Sequence, residues 1–190
     1  MTVLVSTWLL ALGAQSLWAQ SAVAPEHRRP FTAAATGGIR LFDEILGLDE
    51  DLSIGCRIGL GMSPRWSVLL DFVASHPIRT VTKQMAAIDA LRAFARANIL
   101  MGRVRPYAIA GIGGILFDFS DAPSSGRGAI TLGGGIDVRI AKSAFAFIEG
   151  SADGYQSDTV AYDPTGQPYR VDPRETRILG TISLGIGAEF

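Results

Sequence analysis

Thr176-Arg177-Ile178-Leu179-Gly180-Thr181-Ile182-Ser183-Leu184-Gly185-Ile186-Gly187-Ala188-Glu189-Phe190 is the stretch whose reading decides the fold. Its even positions, Ile178, Gly180, Ile182, Leu184, Ile186, Ala188 and Phe190, are apolar or glycine. Its odd positions, Arg177, Leu179, Thr181, Ser183, Gly185, Gly187 and Glu189, are mostly polar or small. Strand side chains point alternately to opposite faces, so this period of two predicts a strand with one greasy and one mostly polar face. A half-buried soluble strand shows the same alternation. Length favours a membrane barrel, because a tilted strand needs about 9–11 residues to cross a bilayer.

The pattern recurs upstream. Leu52, Ile54, Cys56, Ile58, Leu60 and Met62 alternate with Ser53, Gly55, Arg57, Gly59 and Gly61, and Trp66, Val68, Leu70 and Phe72 alternate with Ser67, Leu69, Asp71 and Val73. Ile130, Leu132, Gly134, Ile136, Val138 and Ile140 alternate with Ala129, Thr131, Gly133, Gly135, Asp137 and Arg139. Less regular strands are expected over Phe31–Phe42, with Gly37 and Gly38 as a kink, over Arg105–Phe119, where the phase is ambiguous, and over Ala144–Asp153. Met85–Met101 reads either way. Ala93, Ala95, Ala97, Ile99 and Met101 alternate with Arg92, Phe94, Arg96 and Asn98, yet Met85, Ile88, Leu91 and Ala95 also make a helical stripe of good helix formers. A ring of eight needs a strand here.

The connections sort by length. Ser63-Pro64-Arg65, Gly102-Arg103-Val104 and Ala141-Lys142-Ser143 are tight, whereas Asp43–Asp51, Ser75–Gln84, Ser120–Gly128 and Gly154–Glu175 read as long polar loops. Short and long links alternate, as in outer-membrane barrels with periplasmic turns and external loops. The expectation is therefore an all-β, eight-stranded, antiparallel up-and-down transmembrane barrel. Such a sheet must close, because backbone amides in hydrocarbon need partners. Arg57, Asp71, Arg92, Arg96, Asp137, Arg139, Glu149 and Arg177 would then project into the lumen, where both signs are present to pair.

Composition agrees. Charged residues are 18% and hydrophobic ones 48%, so the surface of a water-soluble globule is poorly supplied. Seventeen basic residues against 18 acidic ones leave no nucleic-acid footprint. The single cysteine excludes an intramolecular disulfide, and no zinc-ligand spacing occurs. From Met1 to Ala24 there is no charged side chain, and the apolar block Val3–Leu12 runs into small residues at Ala19, Ser21 and Ala22. Residues 1–24 thus read as an export signal cut after Ala19, although its first residues lack Lys and Arg. An N-terminal anchor or buried helix is the other reading, but the block falls short of the ~20 residues of a spanning helix. Residues 25–190 would be the barrel.

On these residues the chain resembles the small outer-membrane barrels of the OmpA/OmpX/OmpW-like group. The terminal Phe190, preceded at alternate positions by Ala188, Ile186, Leu184 and Ile182, is similar to the C-terminal signal that the barrel-insertion machinery reads. Arg105-Pro106-Tyr107-Ala108-Ile109-Ala110-Gly111-Ile112-Gly113-Gly114 and Thr131-Leu132-Gly133-Gly134-Gly135-Ile136-Asp137 are similar to glycine-rich strands of that group. The resemblance covers most of residues 30–190 and ends with the barrel. It implies residence in the outer membrane after export to the periplasm, lipid and the insertion machinery as partners, and no general enzymatic activity. A monomer without cofactor or metal is expected.

Other motifs carry less. Gly111, Gly113 and Gly114 run on into Ile115-Leu116-Phe117, so no helix follows to hold a pyrophosphate. His76 is adjacent to Ser75 on a strand and so points away from it, which denies a nucleophile its base; Ile78 also breaks the His-x-Ser pattern of lipid A deacylases. Asp158, Asp163, Asp172 and Glu175 lack calcium-loop spacing. With Tyr155, Tyr162 and Tyr169 they suit an adhesive surface or a solvated loop. Trp66, beside a short turn, fits an interfacial girdle. The leading function is non-enzymatic, either structural or a surface interaction through the loops. A small-molecule channel or ligand-binding barrel, a lipid-modifying enzyme and a soluble lipocalin-like barrel are the alternatives.

Overall fold

The computed structural model describes residues 31–42, 48–78, 83, 85–119, 122–162 and 168–190. The expected signal segment, residues 1–24, lies outside them, as does His27. Every regular element described is a strand: β1 (Phe31–Leu41), β2 (Asp51–Gly61), β3 (Trp66–Ser75), β4 (Ala86–Asn98), β5 (Val104–Phe119), β6 (Ala122–Ala141), β7 (Ala144–Tyr162) and β8 (Pro168–Glu189). Each pairs antiparallel with the next, and β1 pairs with β8, so the sheet closes into an eight-stranded barrel without an edge.

The ambiguous fourth segment is a strand. Ile88 is fully buried, while Met85 and Leu91 are exposed on the other face, so the helical stripe is divided between inside and outside. Two expectations need correction. Pairing of β1 with both neighbours runs through Gly37 and Gly38 without a shift of register, so no bulge breaks the strand there. Glycine is needed at 38 because a Cβ there would run into the Ile182 carbonyl of β8. Secondly, Ser120–Gly128 and Gly154–Glu175 are not loops for most of their length. β5 and β6 stay paired up to Phe119 and Ala122, and β7 and β8 up to Tyr162 and Pro168.

One end of the barrel carries the tight turns and the terminal Phe190; the other, the loop end, carries the long connections. At a tight turn Ser63 accepts from the Trp66 amide through its hydroxyl at 3.0 Å, while Trp66 itself stands exposed beside the turn. The outer wall is almost wholly apolar: Leu52, Ile54, Leu70, Ile112, Ile130, Ile136, Ile148, Leu184 and Ile186 are all exposed, and Cys56 lies on the same face. Apolar surface on this scale is unfavourable in water and marks contact with another phase or partner.

Side chains of the opposite parity fill the inside. Phe145 and Phe147 of β7 point inward and face Gly187 and Gly185 of β8 in register. A Cβ at either glycine would collide with the facing ring. The small odd positions of the last strand therefore make room for the large ones of its neighbour.

Candidate functional site in the barrel interior

The middle of the interior is an ionic layer. Arg57 of β2, Asp71 of β3 and Arg92 of β4 lie in one row, because Asp71 is in register with both arginines. Arg57 donates from Nε to Asp71 Oδ1 at 3.0 Å, and Arg92 donates from Nη2 to Asp71 Oδ2 at 2.6 Å. From β7, Glu149 accepts both ends of Arg57, with Nη1 at 2.8 Å and Nη2 at 2.7 Å. Glu149 also accepts from the Tyr107 hydroxyl at 2.9 Å. Two repeats of the pleat further along β7, Asp153 accepts from Arg92 Nη1 at 3.1 Å and from the Thr131 hydroxyl. The Arg57 guanidinium sits 5.2 Å from the ring centre of Phe147 and 5.6 Å from that of Phe94, a cation–π sandwich.

A second layer lies toward the short-turn end. Asp137 of β6 accepts from Arg96 Nη2 and, at 2.6 Å, from Arg105 Nε. Arg105 Nη2 reaches Glu189 of β8 at 2.7 Å, and Arg139 Nη2 reaches the other oxygen of Glu189 at 3.1 Å. Arg96 also lies over the Tyr107 ring, 3.9 Å from its centre, and so links the two layers.

Toward the loop end the filling changes to hydrocarbon. Ala86, Ile88, Ala90, Ile115, Phe117, Ala129, Tyr155 and Leu179 form a buried cluster, closed above by Leu48 and flanked by Phe42 and Phe119. Arg40 is buried beside it, donating from Nη1 to the Ser75 hydroxyl at 3.1 Å and to the Ile88 carbonyl at 2.7 Å.

The bonds Arg57–Glu149, Arg92–Asp153 and Arg105–Glu189 join strands that are not neighbours in the sheet. They are struts across the interior, and a solute moving along the axis must part them. Charge-assisted pairs of this kind are strong when complete, and removing one partner leaves a buried charge alone.

Of the residues singled out from sequence, Arg57, Asp71, Arg92 and Glu149 meet in the middle layer, and Arg96, Asp137 and Arg139 in the second. Arg177 is buried further toward the loop end. Missed were Arg40, Arg105, Asp153, Glu189 and the hydroxyls of Tyr107 and Thr131. Alternation carried the signal for Glu189 and Asp153, which share inward parity with Ser183 and Glu149. Ser75 is turned inward while His76 is exposed, so the two stand on opposite faces of the wall. Among the described residues no cluster of three metal-ligating side chains occurs. The side chains of Asp158, Asp163, Asp172 and Glu175 lie outside what is described.

A closed eight-stranded sheet, apolar outside and ionic within, is the construction of a barrel set in lipid. Known structures share the fold. Over 84% of this chain and 96% of its own, Neisserial surface protein A aligns at a TM-score of 0.58 and 14% identity. The N-terminal β-barrel domain of Pseudomonas aeruginosa OprF aligns over 86% of this chain and all of its own (TM-score 0.52, 16% identity). Ail, the attachment invasion locus protein of Yersinia pestis, solved in complex with the heparin analogue sucrose octasulfate, aligns over 84% of this chain and 96% of its own (TM-score 0.50, 14% identity). No protein-family model and no curated protein sequence matches the chain. The fold is that of the small outer-membrane eight-stranded barrels.

Proposed function

We propose that the protein is a non-enzymatic outer-membrane barrel that acts at the cell surface through its β7–β8 hairpin. The observation that carries this is the height of the wall. β7 and β8 have 19 and 22 residues, about twice the ~9–11 that crossing a bilayer requires. Their pairing continues to Tyr162 and Pro168, whereas β1 and β2 are paired only as far as Arg40 and Asp51. One side of the barrel thus stands clear of the lipid on a built, hydrogen-bonded support, while the interior is crossed by ionic struts that oppose a channel function.

Sulfated glycan, suggested by the Ail complex, is a poor match for this hairpin. Between residues 157 and 175 it carries Asp158, Asp163, Asp172 and Glu175 against Arg170 and Arg174. Tyr162 and Tyr169 at its tip suit a protein partner, since tyrosine gives large contact area at low entropic cost. The test compares cells displaying the intact protein with cells in which residues 157–175 are replaced by a two-residue turn. Adhesion to an immobilised panel of proteins, and not to heparin, is expected for the intact form and should vanish in the shortened one while the barrel still folds. Equal adhesion by both would sink the reading. Stable porin-sized conductance of the purified protein in a planar bilayer would favour a channel instead.

Delivery to the membrane rests on the last strand. Phe190, with Ala188, Ile186, Leu184 and Ile182 on one outward face, is proposed as the signal for the insertion machinery. Deleting Phe190 should lower the folded fraction in cells, measured by heat-modifiable gel migration, far more than Phe42→Ala does.

A further inference from the structure

Each tight turn of the barrel holds one exposed cation: Arg65 between β2 and β3, Arg103 between β4 and β5, and Lys142 between β6 and β7. Their side chains make no hydrogen bond or ion pair among the described residues. Of the acidic side chains described, two lie at this end. Asp137 is fully buried and Glu189 is 13% exposed, and both are already held by arginines of the second ionic layer. The remaining described acids that are not buried, Asp49, Glu50, Asp51, Asp89 and Asp118, all stand toward the loops. The surface of the turn end therefore carries positive charge that no neighbouring acid offsets.

What flanks each cation is equally regular. In the chain Arg65 lies between Met62 and Trp66, Arg103 between Ile99 and Val104, and Lys142 just after Ile140, and all five of these apolar side chains are exposed. They form the margin of the greasy outer wall. A cation set directly beyond such a margin, with a tryptophan beside it, lies at the level of lipid headgroups. The three cations also do not converge. They occupy three of the four corners of this end, each two strands from the next, and the fourth corner is where β8 meets β1. One small anion cannot touch all three, whereas an extended anionic surface can.

We propose that Arg65, Arg103 and Lys142 bind anionic phospholipid headgroups in the leaflet on the turn side, each taking the phosphate of a different molecule. A basic side chain at a membrane surface favours anionic over zwitterionic lipid by about fivefold. Three such contacts around the rim fix the depth and tilt of the barrel in that leaflet.

Trp66 adjoins Arg65 and so reports on one contact directly. Trp8→Phe and Trp18→Phe in the full-length chain leave Trp66 as its only tryptophan. The folded protein is placed in vesicles of equimolar phosphatidylglycerol and phosphatidylcholine, with bromine on the acyl chains of one lipid or the other. Quenching of Trp66 should show phosphatidylglycerol enriched about fivefold beside it, fading as sodium chloride is raised. Arg65→Gln should remove the enrichment, and Lys142→Gln, at the opposite corner, should leave it unchanged. Sodium phosphate should act no more strongly than sodium chloride of equal ionic strength. Equal quenching by the two lipids, or enrichment that persists in Arg65→Gln, would overturn the proposal. So would an equal loss in Lys142→Gln, the mark of net charge without local contact, or specific displacement by phosphate, the mark of a discrete small-anion site.

Discussion

At the middle of the barrel Arg57, Asp71, Arg92 and Glu149 fill the interior with paired charge, whereas one layer toward the loops Ile88, Ile115, Phe117 and Leu179 fill it with hydrocarbon. The same strands build both. Along β4 the inward positions run Ile88, Ala90, Arg92, Phe94, Arg96. The outer wall is uniform because the phase it meets is uniform, but the inside meets only itself and can change chemistry within two residues. The layers should also fail differently. An apolar layer loses stability in proportion to the cavity made, whereas an ionic layer has a threshold: intact it is satisfied, and with one member gone a desolvated charge remains.

The largest effect is expected at Asp71, which is completely buried and accepts from two arginines. Asp71→Ala should cost about 3–5 kcal/mol in the urea unfolding free energy of the barrel. Leu179→Ala in the hydrocarbon layer should cost about 2–3 kcal/mol, in the lower part of the usual range, because the half-buried Phe42 and Phe119 can settle into the space. Equal losses from these two would erase the distinction between the layers. The smallest effect is expected for Arg139→Gln: its side chain is 22% exposed, and Glu189 keeps Arg105. A change within about 1 kcal/mol, shrinking further in high salt, would mark the second layer as partly solvated. A loss as large as that of Asp71→Ala would show the ionic layers to be one cooperative unit.

The strands were legible where the two faces contrast. In β8 isoleucine and leucine alternate with threonine, serine and glycine, and the period of two stands out. In β4 the outward side is Ala93, Ala95 and Ala97, so the contrast is weak and helix propensity competes. In β7 hydropathy fails for a different reason: Phe145 and Phe147 are inside and Ala144 and Ala146 outside, so the interior is the greasier face. The upper parts of β6, β7 and β8 lack that alternation in sequence and so read as loops. Arg105 was hidden because Gly111, Gly113 and Gly114 obscure the phase of β5. The pairing of the interior charges was illegible from the start. Arg57 and Glu149 are 92 residues apart and on non-adjacent strands, and only ring closure brings them together.

The uneven rim gives the molecule a mechanical bearing. From Gly180, which pairs with the last residue of β1, to Pro168 the β8 wall runs on for 12 residues, roughly 40 Å if straight. A tether fixed to that tip pulls off the barrel axis and applies a torque, tilting the cylinder in the membrane rather than drawing it straight out. The load enters through β7 and β8, and from β8 it passes next into β1. Mechanical failure would thus begin at the join of the first and last strands, where Arg40 is in register with Thr181, and in a pulling experiment that join would set the force the barrel withstands.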